Sequence, residues 1–219
     1  MLDAIDIQGK DVTADALLTQ RKIADYLVRK RNAHYHFTVK NNQPGLFQDI
    51  ALYFEDRQAP DFVQTDCDHG RIDTRKIWTA TELNGYLNFP HVAQAFVIQR
   101  ESTDKKTGES SCDIAYGITS RSPEQADPQR VLATNRAHWC IENSCHYIID
   151  WNFDEDRSRI RTGHGPENIT RLRRFATGII KSKAVRNVSQ KMRQLMGNVR
   201  LVFDYLRMTE NSCVRAFRN

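Results

Sequence analysis

The 219-residue sequence lacks the long apolar runs that cross membranes. No stretch approaches the roughly 20 consecutive apolar residues that a membrane-spanning helix needs. Its first six residues carry two acidic side chains, Asp3 and Asp6, where a secretory signal carries basic residues followed by an apolar stretch. We therefore exclude a membrane protein, predict no membrane partner, and expect the chain to stay in the cytoplasm.

Cysteines are few, scattered and odd in number. The five thiols include no Cys-x-x-Cys pair, so the sequence predicts neither a disulfide framework nor a zinc site. We expect reduced thiols, as in a cytoplasmic protein. The five residues are Cys67, Cys112, Cys140, Cys145 and Cys213.

Charge is distributed unevenly along an otherwise ordinary globular composition. Hydrophobic residues make up 40%, charged residues 27%, and the mean hydropathy is −0.62, which fits one domain or two small ones. Residues 157–219 hold 15 basic and 3 acidic side chains, a net charge of +12. The preceding 156 residues carry a net charge of −7. The C-terminal third is therefore the part predicted to bind an acidic partner.

Apolar residues in this basic region recur at helical spacing, which predicts an amphipathic helix. They are Ile169, Leu172, Phe175, Ala176, Ile179 and Ile180. The basic residues expected largely on its solvent side are Arg171, Arg173, Arg174, Lys181 and Lys183. Such a stripe is either a solvated helix face or a contact to nucleic-acid phosphates, and composition does not choose between them.

The N-terminal region predicts a strand, a helix and a second strand. Lys10 to Ala16 alternates apolar and polar residues, with Asp15 at its carboxyl end. A helical pattern begins at Leu17, and His34 to Lys40 follows as the second strand. A helical crossover between two strands favours a parallel pair. A carboxylate at the end of such a strand is well placed for chemistry.

The remaining sequence divides into a β-rich part and a helical part. Strands are predicted at 75–81, 92–100 and 113–120, as an inserted antiparallel sheet. Asp127 and Pro128 predict the start of a helix running to about Asp150. Two more helices are predicted at 166–183 and 186–208, the second broken at Gly197-Asn198. The predicted domains are therefore 1–45, 46–122 and 123–219.

Glu142 lies within a mostly apolar face of the predicted 127–150 helix. The residues that share this face are Leu132, Asn135, Trp139, Glu142, His146 and Ile149. An unpaired buried carboxylate is costly, so Glu142 is expected to have a partner: a buried arginine, a metal ion or a network of donors. His138 and His146 lie four residues before and after Glu142, but the spacing is not that of His-Glu-x-x-His zinc hydrolases.

A longer string around Glu142 matches a known family. It comprises Arg136 to Asn143 (R-A-H-W-C-I-E-N), followed by His146, Asp150, Phe153, Glu155-Asp156 and Arg159-Ile160-Arg161. Further matches are Thr13 to Ala16 with Thr19-Gln20, Phe37 to Lys40 with Asn42-Gln43, His69 to Arg75, and Pro166 to Asn168. The sequence thereby closely resembles bacterial insertion-sequence DDE transposases of the H-repeat-associated group, over nearly its whole length.

The resemblance implies an α/β fold with an RNase H-like core, a β-rich insertion and C-terminal helices. It implies that Asp15 and Glu142 are the second aspartate and the glutamate of a catalytic triad. These carboxylates would hold two Mg²⁺ or Mn²⁺ ions, which activate a water or a 3′-hydroxyl for phosphodiester chemistry. His138, Asn143 and His146 would orient this site. The candidate DNA contacts are Arg71, Arg75, Arg159, Arg161, Arg171, Arg173 and Arg174.

One feature of the family pattern is not found. The family carries its first aspartate in an Asp-Gly-Lys segment on an earlier strand, whereas Ile7-Gln8-Gly9-Lys10 lacks the aspartate. Asp3, Asp6 and Asp11 precede Asp15, but none lies in such a segment. We therefore expect the sequence to be the C-terminal part of a transposase with the first core strands missing, and the two-metal site to need the complete enzyme.

Three functions follow from this reading. The first is an enzyme that cleaves and transfers DNA strands at insertion-sequence ends, inactive as this chain alone. The second is a truncated product that binds DNA, or pairs with full-length transposase or with itself, and so inhibits transposition. The third is a remnant without function. Metal-dependent nicking that Glu142→Gln abolishes would identify the first, and salt-sensitive DNA binding that it leaves unchanged would identify the second.

Overall fold

A computed structural model describes residues 2–68, 70–141, 145–183 and 185–209 of the chain. It divides into two compact units, the first ending at His138 and the second beginning at Trp139. The predicted boundaries near residues 45 and 122 are not tested by this division and stay predictions.

A six-stranded mixed sheet, counted over the described residues, organises the first unit. Its strands are β1 (Asp11–Ala14), β2 (His34–Val39), β3 (Phe62–Asp68), β4 (Arg71–Ala80), β5 (Gln94–Asp104) and β6 (Ser110–Thr119). The order across the sheet is β1-β2-β6-β5-β4-β3. The β1 and β2 strands are parallel, as predicted, and the other neighbours are antiparallel. Because β6 pairs with β2, the β-rich segment continues the sheet that begins with β1 and β2.

Helices connect and cover these strands. The crossover from β1 to β2 contains a 3-10 turn at Ala16–Leu18, helix α1 (Arg21–Asp25) and a wider helical turn at Tyr26–Lys30. Helix α2 (Pro44–Tyr53) follows β2 and was not predicted, although Pro44 in its first turn and Leu46 and Ile50 on one buried side are its signals. Helix α3 (Pro128–His138) follows β6.

Each face of the sheet carries its own core. On one face, Tyr35, Phe37 and Val39 of β2 are buried with residues of the α1 crossover and of α2, including Leu27 and Ile50. On the other face, Ile77, Phe96 and Ile98 are buried against α3 through Val131 and Leu132. Because side chains alternate between the two faces along each strand, the same strands contribute alternate residues to both cores.

The helix predicted from Asp127 to Asp150 is shorter than expected. The Asp127 side chain caps it by accepting a hydrogen bond from the Arg130 amide at 2.8 Å, as the sequence indicated. However, α3 ends at His138 and Trp139 lies in a turn. Residues 140–141 are helical again, and helix α4 spans Tyr147–Phe153. Helix α3 packs on the sheet, whereas α4 packs against helices of the second unit.

The second unit is helical. Besides α4 it contains α5 (Gly165–Lys181), α6 (Val188–Met196) and α7 (Val199–Tyr205), around a small core of Ile148, Ile180 and Val188. The predicted break at Gly197-Asn198 is confirmed. There the Asn198 side chain accepts a hydrogen bond from the Leu201 amide at 3.0 Å, which caps α7.

Within the described ranges, no helix is both long and apolar enough to cross a membrane. Four cysteines are free thiols, three of them exposed (Cys67, Cys112 and Cys140) and one half-buried (Cys145). Cys213 lies outside the described residues.

Candidate active site at the carboxyl end of the first strand

Asp15 directly follows β1 and presents its carboxylate to solvent. Its side chain is 68% exposed. Its Oδ1 accepts a hydrogen bond from the Ala16 amide at 2.7 Å, and the Lys40 ammonium lies 4.0 Å from the same oxygen. Lys40 follows the parallel neighbour β2, so both charges stand at the same edge of the sheet. An exposed carboxylate at this edge is open to a metal ion or a substrate.

The backbone after Asp15 is held by side chains from the end of β2. The Asn42 amide donates to the Ala16 carbonyl, and the Gln43 amide donates to the Thr19 carbonyl at 3.0 Å. The Thr19 hydroxyl donates to the Thr38 carbonyl at 2.8 Å. Asn42, Gln43 and Thr19 matched the family pattern, but sequence reasoning gave them no role. The structure shows that they fix the turn that follows Asp15.

Helix α3 runs beside β1 and in the same direction. Arg130, near its start, donates to Asp11 Oδ2 at 3.2 Å, and the His138 Nδ1 at its end lies 3.0 Å from Thr13 Oγ1. Because Asp11 precedes Thr13 along β1, the end of α3 lies toward Asp15. His138, predicted to orient the site, thus contacts β1 two residues before Asp15.

Buried His36 and half-buried Asp11 of the sheet both contact α3. His36 Nε2 lies 3.4 Å from Asn135 Oδ1, and the His36 ring stacks on Phe96. Burial lowers the pKa of His36 to about 4, against the opposing effect of the Asn135 contact, so His36 is neutral at pH 7. Burial alone would raise the pKa of Asp11, but hydrogen bonds and charge from Arg121 and Arg130 lower it overall.

Glu142 and Asn143, the predicted catalytic glutamate and its neighbour, lie outside the described residues. Their predicted roles stay predictions. His146 lies in the second unit, is exposed, and immediately precedes α4. Trp139, which the sequence placed on the same mostly apolar helix face as Glu142, is 59% exposed. It lies one residue beyond the end of α3.

The predicted DNA-contacting arginines of the second unit differ in exposure. Arg159, Arg161 and Arg174 are exposed. Arg171 is exposed and pairs with Glu167 one turn earlier on α5. Arg173 was expected on the solvent side, but its side chain is only 13% exposed and its Nη1 lies 3.8 Å from Glu155. The buried side of α5 thus includes an arginine as well as Ile180.

The apolar side of α5 is buried less than its periodicity suggests. Leu172 and Phe175 are 61% and 66% exposed, whereas Thr177 and Ile180 are buried. Phe175 borders an apolar groove of about 400 Å³ that α5, α6 and α7 form. The periodicity located the helix correctly and identified its buried face only in part.

The two candidate arginines of the first unit lie at one end of the sheet. Arg75 is 14% exposed and donates to Asp66 and Asp73, each at 2.9 Å, whereas Arg71 is exposed. Both line a charged cavity of about 770 Å³. The other lining residues are Asp66, Cys67, Asp68, Asp73, Arg100, Asp104 and Arg136. Four arginines face four aspartates there, so the cavity has no net positive charge to attract DNA.

The described residues do not by themselves form a metal centre. Within 2–68, 70–141, 145–183 and 185–209, no three histidine, cysteine or acidic residues come together as ligands for one ion. Asp15 supplies one exposed carboxylate, and oxygen ligands of this kind suit Mg²⁺ and Mn²⁺. A two-metal site would need further carboxylates from elsewhere.

The fold and the position of Asp15 define the class of protein. A parallel β1–β2 pair with a helical crossover, continued by antiparallel strands and covered by helices on both faces, is a mixed α/β architecture. Together with an aspartate at the carboxyl end of β1, it confirms the α/β, RNase H-like fold that the sequence predicted.

The comparison with known families then identifies the chain. Residues 1–176 match the family described as the transposase DDE domain, which is most of the chain. The chain therefore belongs to this family.

Individual relatives agree with this assignment. The chain is 27% identical, over 83% of its length and 48% of the relative's, to "Putative transposase YncI" of Escherichia coli O157:H7. It is 25% identical, over 89% of its length and 54% of the relative's, to "H repeat-associated putative transposase YhhI" of Escherichia coli K12. It also resembles, at 29% identity over 58% of its length and 44% of the relative's, an uncharacterized protein from the dhlA 3′ region of Xanthobacter autotrophicus. The chain spans about half the length of these curated relatives.

Proposed function

We propose that the chain supplies Asp15 and Glu142 to a DDE transposase that cleaves and transfers DNA strands at insertion-sequence ends. The observation that carries the proposal is the exposed Asp15 carboxylate at the end of β1, in a chain that belongs to the DDE family. The end of α3 adds support, because His138 lies 3.0 Å from Thr13, two residues before Asp15, and precedes Glu142 by four residues in the sequence.

The residues of this chain would act as ligands and supports. Asp15 and Glu142 would each offer carboxylate oxygens to a divalent ion, Mg²⁺ or Mn²⁺. Two bound divalent ions would supply an activated oxygen nucleophile and stabilise the leaving oxygen. Lys40, close to Asp15, would compete with a divalent cation for the Asp15 carboxylate. Asn42, Gln43 and Thr19 would keep the Asp15 turn in place, and His138, Asn143 and His146 would orient the site. We assign no residue of this chain to the first aspartate of the triad.

A DNA nicking and joining assay tests the proposal. The substrate carries insertion-sequence ends, and the proteins are the wild-type chain and Glu142→Gln, each with Mg²⁺, with Mn²⁺ and with EDTA. In every reaction, a separate N-terminal polypeptide of a relative supplies the first aspartate. The proposal predicts metal-dependent strand cleavage that Glu142→Gln abolishes. Cleavage that persists in Glu142→Gln would refute it.

A second candidate function is DNA binding without catalysis, and the charge of the second unit favours it. Residues 157–219 carry a net charge of +12, and Arg159, Arg161 and Arg174 are exposed. Phosphate contacts release counterions, so binding affinity should fall steeply with salt. Salt-sensitive binding equal in wild type and Glu142→Gln, without cleavage, would support this candidate.

The proposed partners follow from these two candidates. They are the insertion-sequence ends and target DNA, with full-length transposase or a second copy of the chain as protein partners. The proposed location is the cytoplasm. Co-purification of the chain with full-length transposase, and inhibition of strand transfer on mixing, would support the inhibitory role. A failure of the isolated chain to unfold cooperatively would favour a remnant without function.

A further inference from the structure

The helical crossover between β1 and β2 concentrates positive charge in a unit that otherwise carries negative charge. Residues 20–31 hold five basic side chains and one acidic side chain, a net charge of +4. The other residues of the first unit, 1–19 and 32–138, hold 12 basic and 18 acidic side chains, a net charge of −6. An anionic partner of the first unit is therefore attracted to the crossover.

Four of the five cations of the crossover are exposed, and the fifth is not. The Arg31 side chain is only 18% exposed and pairs with Asp3 at 3.2 Å, so it serves the local structure. We call the four exposed cations the crossover patch: Arg21, Lys22, Arg29 and Lys30.

The acidic residue of the crossover does not neutralise this patch. Asp25 Oδ1 lies 3.1 Å from Arg29 Nε and 3.0 Å from His91 Nε2. Lys22 and Lys30 form no ion pair with any residue that the structure describes. Their ammonium groups are therefore available to a ligand.

The patch borders a cleft of about 390 Å³. The residues that line it are Arg21, Lys22, Asp25, Tyr26, Lys30 and Pro90. Asn88 fixes Arg21 there, because the Asn88 backbone and side-chain oxygens accept hydrogen bonds from Arg21 Nη1 at 2.7 and 2.6 Å. One fixed guanidinium and two unpaired ammonium groups thus line the same cleft, and such donors suit phosphate oxygens.

The crossover leaves the sheet at Asp15. Arg21 and Lys22 follow Asp15 by six and seven residues, across one 3-10 turn, at the start of α1. Lys22 and Lys30 are eight residues apart, which is roughly 12 Å along a helix. Three or four successive nucleotides of one DNA strand cover that length, at about 3.4 Å each. A DNA backbone along the crossover therefore leads toward the edge of the sheet that carries Asp15.

We propose that the crossover patch binds the phosphate backbone of DNA, with Lys22 and Lys30 as its main contacts and Arg21 in support. Phosphate contacts of this kind position a duplex without reading its sequence. The inference rests on the proposed function only in taking DNA as the partner, and it needs neither Glu142 nor a metal ion. The charged cavity beside Arg71 and Arg75 is a poorer candidate, because its charges balance.

Acetylation of lysines in the full chain, with and without DNA, tests the surface directly. The probe is a fluorescein-labelled duplex of about 30 base pairs and arbitrary sequence, because phosphate contacts do not depend on sequence. Mass spectrometry of peptides gives the acetylation rate of each lysine. Lys105 and Lys106, both exposed between β5 and β6, are the matched control pair. We expect DNA to slow acetylation of Lys22 and Lys30 at least fivefold, and that of the control pair less than twofold.

Removal of charge gives a second readout. Lys22→Gln/Lys30→Gln and Lys105→Gln/Lys106→Gln each remove two exposed charges from the first unit, so the two variants have equal net charge. Fluorescence anisotropy at several salt concentrations gives the slope of log affinity against log salt concentration. Loss of two phosphate contacts should reduce this slope by about 1.8 and weaken binding at least tenfold at about 0.1 M salt, whereas the control variant should change the slope by less than about 0.5. Both variants should unfold at the wild-type urea concentration, because the four side chains are exposed.

The outcomes separate this inference from the proposed catalysis. Equal protection of the two lysine pairs, or equal slopes in the two double variants, would overturn the inference and leave a solvated helix face. A wild-type chain without salt-sensitive DNA binding would overturn DNA as the partner, and the inference with it. Protection of Lys22 and Lys30 without strand cleavage would support the inference while the proposed catalysis fails.

Discussion

Gly117→Ala is predicted to destabilise the first unit strongly. Gly117 lies in β6 directly opposite Phe96 of β5, and the buried Phe96 ring covers it. A Cβ at Gly117 would lie 2.1 Å from Phe96 Cζ and 2.8 Å from the Phe37 carbonyl oxygen. Phe96 also stacks on the buried His36 ring, so a shift of the Phe96 ring away from Gly117 would disturb that contact.

The size of the effect follows from this overlap. Extra methyl groups in a packed core typically cost about 1–3 kcal/mol, and here one contacted atom belongs to the backbone of β2, so we expect about 3 kcal/mol. For a chain of this size that corresponds to a fall in Tm of roughly 6–12 °C. Urea unfolding, followed by circular dichroism, gives the free energy directly.

Gly45→Ala is the matched control. Gly45 lies in the first turn of α2, and a Cβ there meets no atom within 4 Å. Alanine favours helix over glycine, so this variant should be unchanged or more stable by up to about 1 kcal/mol. Equal stability of the two variants, or a Gly117→Ala protein as stable as wild type, would refute the packing of β6 beneath Phe96.

Three further predictions concern charge and site support. Because the pKa of His36 is lowered in the folded protein, the unfolded chain binds more protons than the folded one between pH 6.5 and about pH 4. The free energy of unfolding should therefore fall on acidification through that window, by roughly 3 kcal/mol at most. Urea titrations at pH 7, 5.5 and 4.5 measure this dependence, which His36→Gln should flatten. A stability that rises over the same acidification would contradict the burial of neutral His36. Asn42→Ala should lower the free energy of unfolding by about 1 kcal/mol and weaken Mn²⁺ binding, because the Ala16 carbonyl in the turn after Asp15 loses the Asn42 side-chain donor. Asn41→Ala, at the neighbouring exposed position, should do neither. Equal Mn²⁺ affinities would show that the turn is not needed to place Asp15. Arg173→Ala should destabilise the second unit by about 1–2 kcal/mol through loss of the Glu155 pair. Arg174→Ala should leave stability unchanged and reduce by about 0.9 the salt slope of DNA binding, which is the slope of log affinity against log salt concentration. If instead Arg174→Ala destabilises the second unit and Arg173→Ala reduces the salt slope, the assignment of Arg173 as the buried arginine and Arg174 as the exposed one would be wrong.

Local patterns in the sequence predicted the elements that carry strong signals. The alternation around Val12 and Ala14, and the crossover to His34–Val39, were enough to give a parallel pair with Asp15 at its end. The asparagine at 198 gave the break before α7. In these cases residues close in sequence determine the structure.

The features that sequence reasoning missed depend on contacts between distant residues. Trp139 continues the period of α3, but α3 ends one residue before it, at His138. Arg173 and Arg174 are adjacent and of one type, and only the position of Glu155 distinguishes the buried one from the exposed one. The link from Asn42 to the Asp15 turn joins residues 26 positions apart in sequence. No local pattern specifies such contacts.

Iron-directed cleavage of the chain tests the central claim, that Asp15 and Glu142 hold the same metal site. Fe²⁺ replaces Mg²⁺, and ascorbate with peroxide then cuts the polypeptide close to the bound ion. Mass spectrometry of the fragments locates the cuts. The account predicts cuts near both residue 15 and residue 142, lost together in Asp15→Asn and in Glu142→Gln and suppressed by excess Mg²⁺. Cuts near one of the two residues alone, or a pattern that either substitution leaves intact, would contradict it.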